Sequence, residues 1–394
     1  MHARAPDRYV HGLGRGRVCR LLLLRPARGR HADGGDVNAP EEHVLQSIEA
    51  RRRAQPRLTD AKVTTAHGAG GKAQEALLTS LILEAYGSEQ LRLQDDGAVV
   101  DVARSARLVF TTDSFVVTPR VFPGGSLGRL AVFGTVNDLA VMGAEPKWLA
   151  VSFLLEEGFD MDELRGLAED IAAASREVGV EIVTGDTKVV ERGKGDGVYV
   201  NTSGIGILAD SVALGADQVR PGDKVIVSGP IGDHGTSVML ARGELALEGD
   251  VRSDCAPLAD IVASLLAAVP HTRWMRDPTR GGLASACCEL AAASGLALRL
   301  HEDRIAVRPA VRAACELLGL DPLYVANEGT LVAVVPADAA DVAVSTLAAY
   351  DIGRDAAVVG TIDTDPGGLV LLETAFGGTR VVDRLVGDPL PRIC

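Results

Sequence analysis

The amino-acid sequence predicts an α+β protein built from two domains. Helix-like and strand-like patterns mix in both halves of the chain. The 394 residues exceed what one ordinary domain holds. A Pro-Gly turn, Val219-Arg220-Pro221-Gly222-Asp223, stands between two stretches of similar length and reads as a domain joint.

Residues 1 to about 58 read as an extension outside the fold. Residues 1–60 carry 12 Arg against 7 Asp and Glu, a net +5, whereas the whole chain is −13, which leaves −18 for the remainder. Leu21 to Leu24 is too short for a signal-peptide core and is followed at once by Arg25, Arg28 and Arg30. A translation start placed too far upstream is an equal explanation of this segment.

Regular punctuation begins near Leu58. A helix is expected over 73–86, ended by Gly87, and strands over 97–103 and 107–112. Ser126 is a good N-cap for an apolar helix reaching Met142, with Gly143 past its end. A strand over 148–155 leads to a helix whose start has capping-box spacing, Asp160 to Glu163, and which closes at Gly179. Strands near 181–183 and 198–208 complete residues 59–218, the expected N-terminal domain. Residues 219–382 repeat the mixture, with strands near 224–228, 297–301, 330–335, 356–362 and 368–373. Helices are expected near 235–242, 255–268, 282–294, 309–318 and 337–349. Residues 383–394 form a tail kept extended by Pro389 and Pro391.

Composition narrows the function. Apolar residues make up 47% and charged residues 24%, which suits a packed globular chain, while aromatics are only 4%, so the core is aliphatic. The acidic body argues against non-specific nucleic-acid binding, yet magnesium can bridge its carboxylates to phosphates. The six cysteines form no CxxC pair and no zinc spacing, and a reducing, cytoplasmic setting follows. No apolar run approaches the ~20 residues that a membrane helix needs.

Five groups of residues carry chemistry. His67-Gly68-Ala69-Gly70-Gly71-Lys72 opens the first helix. Its glycines permit close backbone approach to an anion and Lys72 adds a point charge, although Ala66 and Ala73 rule out a Walker A loop. Acids in apolar settings come next: Asp95-Asp96 before a strand, Asp113 in Thr111-Thr112-Asp113-Ser114 at the end of another, Asn137-Asp138 within an apolar helix, and Thr184-Gly185-Asp186-Thr187-Lys188 after a third strand. Buried carboxylates without partners are costly, so the set suggests a shared cation, and oxygen-only ligands favour magnesium. Arg276-Asp277-Pro278-Thr279-Arg280-Gly281-Gly282 leads into a helix and suits an anion. Ala326-Asn327-Glu328-Gly329 places a carboxylate before a strand. Last, the tail ends Pro391-Arg392-Ile393-Cys394, a thiol on a tether that, from Asp383, spans about 40 Å when extended.

Together HGAGGK, TTDSFVV, FPGGSLGRLAVFGTVNDLAVMGA, TGDTKVV, GDHG, MRDPTRGGLA, LYVANEG, FGGTR and the terminal PRIC resemble the carbamoyl dehydratases of nickel–iron hydrogenase maturation, the HypE family. The resemblance runs from about Lys62 to Cys394. The wider superfamily includes aminoimidazole ribonucleotide synthetase, selenophosphate synthetase and thiamine monophosphate kinase. The ending PRIC sets this family apart from those relatives, and residues 61–75 lack the Cys a selenophosphate synthetase needs.

The resemblance implies a PurM-like fold whose N-terminal domains dimerise through a β-barrel-like interface, with a C-terminal α/β sandwich. ATP would lie near that interface, held by His67, Gly70, Gly71, Lys72, Asp96, Asn137, Thr184 and Gly185. Mg²⁺ would take Asp96, Asp113, Asp138 and Asp186. Cys394 would carry a carbamoyl group received from HypF, Glu328 or Lys188 would remove its N–H protons, and the HypC–HypD complex would accept the cyanide. Other ATP-using enzymes of the superfamily, or a non-catalytic partner-binding relative, are the competing readings.

Overall fold

Each of the two domains is organised by one sheet, and a helix buried on nearly every side ties them together. The computed structural model describes residues 71–77, 79–80, 91–93, 95, 98–102, 106–243 and 250–385. The expected extension over 1–58, His67, Gly70, Asp96 and the tail from 386 to Cys394 lie outside the described residues.

The N-terminal part runs α1 (Lys72–Leu77), β1 (Ala98–Val102), β2 (Ala106–Phe115), β3 (Val121–Phe122), β4 (Gly125–Ser126), α2 (Leu127–Val141), β5 (Ala144–Glu156), α3 (Met161–Glu177), β6 (Glu181–Val190) and β7 (Val198–Leu208). Its sheet has the order β1-β2-β7-β5-β6, antiparallel except for the β5–β6 pair. Ser126 caps α2 by accepting from the Arg129 N–H, and Asp160 caps α3 by accepting from the N–H groups of Asp162 and Glu163. The reciprocal half of the expected capping box is taken elsewhere, because Glu163 pairs with Arg120 at 2.7 Å.

Helix α2 is apolar around its whole circumference, as a helix packed on all sides must be. One side covers the sheet through Ala131, Gly134, Thr135 and Leu139, which lie against Phe115 of β2 and Thr202 and Gly204 of β7, and α3 packs alongside through Leu167 and Ile171. Cys255, Val238 and Ala326 from the C-terminal part enter this same core, so the two domains share apolar packing.

The C-terminal part contains β8 (Lys224–Val227), α4 (Asp233–Ala241), α5 (Ala259–Ala268), β9 (Trp274–Arg276), α6 (Gly282–Ser294), β10 (Ala297–His301), α7 (Pro309–Leu318), β11 (Val332–Val335), α8 (Ala340–Leu347), β12 (Ala357–Asp363), β13 (Val370–Glu373) and β14 (Thr379–Val382). Its seven strands follow the order β14-β13-β10-β12-β8-β11-β9. Val225, Val227, Val332 and Val334 face α6, while the alternate residues Ile226, Ala333 and Val335 face α5 and α8. Both faces are therefore covered, and these strands read as continuous apolar runs.

Two expectations change. The segment Thr184–Lys188 does not follow a strand but lies inside β6, which runs to Val190 beside β5. Likewise TTDS sits within β2, which continues to Phe115. Short strands β3, β4, β9 and β14 are additions to the expected set. Among the described residues, no helix is long and apolar enough to cross a membrane.

Candidate active site

A cleft of about 290 Å³ opens where the end of β2 and helix α2 face the start of α6 and the loop before β11. Its walls differ in charge. Asp113 and Asp138 come from the N-terminal domain, and Arg276, Arg280 and Glu328 come from the C-terminal domain.

The acidic wall follows from strand alternation. Odd residues of β2 point toward α2: Thr111 and Phe115 are buried, and Asp113 is partly so. Thr111 Oγ1 donates to Asp138 Oδ2 at 2.8 Å, which fixes the α2 carboxylate against the strand. The Ser114 N–H donates to Asp113 Oδ1 at 2.7 Å. Burial pushes the Asp113 carboxyl above its usual range, against the pull of the Arg280 guanidinium and the Ser114 N–H. Among the described residues no three His, Cys, Asp or Glu side chains gather to hold a metal ion. Two carboxylates and a hydroxyl nevertheless fit Mg²⁺, which uses one or two carboxylates and completes its shell with phosphate and water oxygens.

The opposite wall suits anions. Gly281 is the N-cap of α6 with φ +71°, and Gly282 follows with φ +59°. A Cβ on Gly282 would fall 2.6 Å from the carbonyl oxygens of Leu323 and Val325, so only glycine fits this turn. The start of a 13-residue helix thereby reaches the cleft, with Ser285 also in its lining. Arg276 is held by Glu289 from the next turns of α6.

Glu328 is 3% exposed, and its backbone is clamped. Both Asp254 carboxylate oxygens accept from the Glu328 N–H at 3.1 Å, and Asp254 Oδ2 also accepts from the Gly329 N–H and the Thr330 hydroxyl at 3.0 Å. At Gly329 a Cβ would lie 1.9 Å from the Asp254 carbonyl oxygen, which demands glycine. Next door, the Asn327 amide accepts from the Gly232 N–H at 2.7 Å and donates to Pro278 O at 2.9 Å. Burial raises the Glu328 carboxyl well above the usual range, the charges of Asp277, Asp254 and Asp113 raise it further, and Arg280 opposes them.

The structure brings together Asp113, Asp138 and Glu328, but not the whole expected set. Asn137 is fully buried, and its amide is engaged in the domain junction. It donates to Ala256 O at 3.1 Å and to Glu328 O at 3.4 Å, and accepts from the Leu258 N–H at 2.7 Å. Within one chain this gives Asn137 a positioning task and not contact with a nucleotide. Asp186 does not join Asp113 and Asp138. It pairs across the sheet with Ser152, Asn201 and Ser114, which lie on the face turned away from α2. Strand β6 is also three strands from β2, about 14 Å at ~4.8 Å per step. Thr184 and Lys188 share that outer face, Gly185 lies between them, and all are exposed. Gly71 is buried, and the Lys72 ammonium pairs with Asp383 at 2.7 Å.

Sequence reasoning left out Asp254, Arg280 and Asn327 as individual site residues. Arg280 and Asn327 stood within quoted motifs, and their spacing to glycine was the available signal. Asp254 lies in an undistinguished stretch, and only its partners 74 to 76 residues away reveal it.

Comparison with known proteins agrees with this architecture. Residues 94–208 match the AIR synthase related protein N-terminal domain, and residues 220–372 match the AIR synthase related protein C-terminal domain. The chain is 49% identical over 337 residues to the carbamoyl dehydratase HypE of Azotobacter vinelandii, covering 86% of this chain and 98% of that one. It is 43% identical to the HypE of Escherichia coli, over 84% and 99% of the two chains. Among solved structures, HypE in complex with ATP superposes with a TM-score of 0.71 at 42% identity, over 83% of this chain and 98% of that one. A HypE–HypF complex gives 0.74 at 40% identity, over 79% and 100%. A thiamine monophosphate kinase from Aquifex aeolicus, 18% identical with a TM-score of 0.58 over 79% and 98%, shares the fold. With a two-domain, PurM-like architecture and this degree of identity over nearly its whole relatives, the chain belongs to the carbamoyl dehydratase HypE family.

Proposed function

We propose that this enzyme dehydrates a carbamoyl group carried on the Cys394 thiol, using ATP, to a protein-bound thiocyanate. The observation that carries the reading is a single cleft holding two Mg²⁺-suited carboxylates, an anion-suited helix start with Arg280, and a buried Glu328. Relatives named carbamoyl dehydratase, one solved with ATP and one with HypF, support it.

The chemistry requires three services from the chain. The carbamoyl oxygen is a poor leaving group; it attacks the γ-phosphorus, ADP departs, and the oxygen then leaves as phosphate while nitrogen loses both protons. Asp113 and Asp138 would hold Mg²⁺, which supplies charge neutralisation on the phosphates when bound. Arg280 and the α6 N-terminus would bind phosphate oxygens. Glu328, whose raised proton affinity moves it toward the operating pH, would take a nitrogen proton. Its burial in the cleft favours Glu328 over the exposed Lys188 as the base.

Homodimerisation belongs to the same reading. The outer face of the N-terminal sheet displays Phe110, Trp148, Leu154 and Ile207, each more than a third exposed. Such a row of large apolar groups suits a second copy of the chain. Thr184, Gly185, Asp186 and Lys188 lie on the β6 edge of this sheet, so they would enter an ATP site through the partner subunit. Domain limits near 218 and 382, a cytoplasmic location, HypF as carbamoyl donor and a HypC–HypD acceptor complete the proposal.

Intact-protein mass tests it. With HypF, carbamoyl phosphate and ATP present, the wild type should gain one carbamoyl group and then lose one water. Cys394→Ala should do neither. Dehydrated product on Cys394→Ala would overturn the reading.

A further inference from the structure

We infer that α1 and the residues just before the tail form an anchor that sets where the Cys394 tether begins, with Glu75 and Arg384 as positioning residues for the dehydration step. The inference deepens the proposed function and rests on it.

Residues 383–385 are held one by one. Tyr324 donates its hydroxyl to the Asp383 carbonyl at 2.7 Å, and Lys72 pairs with the Asp383 carboxylate at 2.7 Å. Arg384 pairs with Glu75 at 2.6 Å, the two side chains being only 13% and 30% exposed. The Lys72 N–H donates to the Leu385 carbonyl at 3.2 Å. One residue earlier, the Cys288 thiol of α6 donates to the Val382 carbonyl at 3.5 Å.

These contacts lie beside the cleft. Gln74, between Lys72 and Glu75 on α1, lines it, as do Ser285, Ala286 and Glu289 on α6 around Cys288. Tyr324 stands four residues before Glu328. Cys394 is the ninth residue beyond Leu385, an extended reach of about 30 Å.

A tether of fixed length delivers its end at an effective concentration set by where it is rooted. Fastening 383–385 at the cleft raises the local concentration of the carbamoylated thiol near Glu328. Loosening the same residues spreads it over a larger volume. Exposed ion pairs contribute little, but a pair as covered as Arg384–Glu75 is screened less, and reversing one charge turns attraction into repulsion. Asp383 offers Lys72 no comparable clean test, because Lys72 also belongs to the proposed nucleotide loop.

The experiment uses full-length Glu75→Arg, Arg384→Glu and the double exchange, each carbamoylated by HypF and then mixed with Mg-ATP. Water loss is followed by intact mass. Each single variant should dehydrate about five-fold more slowly at saturating ATP, with the KM for ATP unchanged. The exchange should recover most of the wild-type rate, which a merely damaged fold would not do. Equal rates in wild type and single variants, or an exchange no better than either single change, would overturn the anchor. Failure of the proposed function looks different: the wild type itself would show no water loss.

Discussion

The two sheets of the molecule differ in how many faces they bury. In the C-terminal sheet both faces are covered, so Val332, Ala333, Val334 and Val335 of β11 are all buried in succession. In the N-terminal sheet, among the described residues, only the α2 face is covered, and β7 alternates between buried and half-buried positions along nearly its whole length. The first sheet is a finished core. The second has one finished face, against which Asp113 and Asp138, the acids proposed to hold Mg²⁺, are set, and one apolar face exposed among the described residues. The contrast separates residues that hold the fold from residues proposed to meet a second copy of the chain.

The largest effect should come from breaking the finished core. Leu298 on β10 is fully buried among α6 and its neighbouring strands. Leu298→Ala should cost about 2–5 kcal/mol through lost burial and a residual cavity. Leu154→Ala on the open face removes the same atoms, yet should change the stability of the dilute, monomeric chain by only about 0.5 kcal/mol. Its effect should appear in dimer dissociation measured by sedimentation. Urea unfolding at low protein concentration separates the two, since oligomerisation otherwise adds to apparent stability. Equal losses in both variants would erase the distinction between the sheets.

That distinction was partly legible in the sequence. Helices α6 and α7 match their expected spans, and α2 and α3 end where their caps and following glycines suggest, because caps are local signals. Strand β7 was legible from its alternation. Strand β6 was not, since Thr-Gly-Asp-Thr-Lys has turn composition and becomes a strand only by pairing with β5. Its misreading explains the expected four-acid cluster: a residue's face depends on register, and Asp186 falls on the even, outward row. Asn137 in an apolar helix was rightly conspicuous, but its partners lie 119 to 191 residues away. No local pattern distinguishes a ligand-binding amide from one that staples two domains.

Asn137 gives the next, intermediate effect. Asn137→Ala leaves the Leu258 N–H buried without its acceptor and removes both donors to Ala256 and Glu328. A loss of about 1–3 kcal/mol is expected, as for one stranded buried donor. Because the Glu328 carbonyl is one of the lost partners, dehydration should also slow, while Asn137→Asp should recover part of the stability by keeping an acceptor for Leu258. Unchanged unfolding in Asn137→Ala would return this residue to the nucleotide and remove it from the domain junction.

The smallest effect, and the one that best separates site from scaffold, concerns Asp113 and pH. Its carboxyl is raised by burial, with Arg280 and the Ser114 N–H only partly offsetting that. A folded-state value above the ordinary 3.8 means that the folded chain holds this proton more tightly than the unfolded chain. The associated stability is fully present below 3.8 and is lost as pH rises through the raised value. Without nucleotide or divalent ion, Asp113→Asn should therefore melt with wild type at acid pH and above it at neutral pH. Mg-ATP should reverse the order. Binding needs the ionised carboxylate, so wild-type affinity rises with pH across the same window, and only the wild type gains the stabilisation that ligand binding confers. Thermal melts over a pH series, with EDTA and then with Mg-ATP, make the comparison. If the two proteins melt in parallel in both series, Asp113 ionises without strain and without a cation to serve. The acidic wall of the cleft would then be scaffold, like the rest of the covered face.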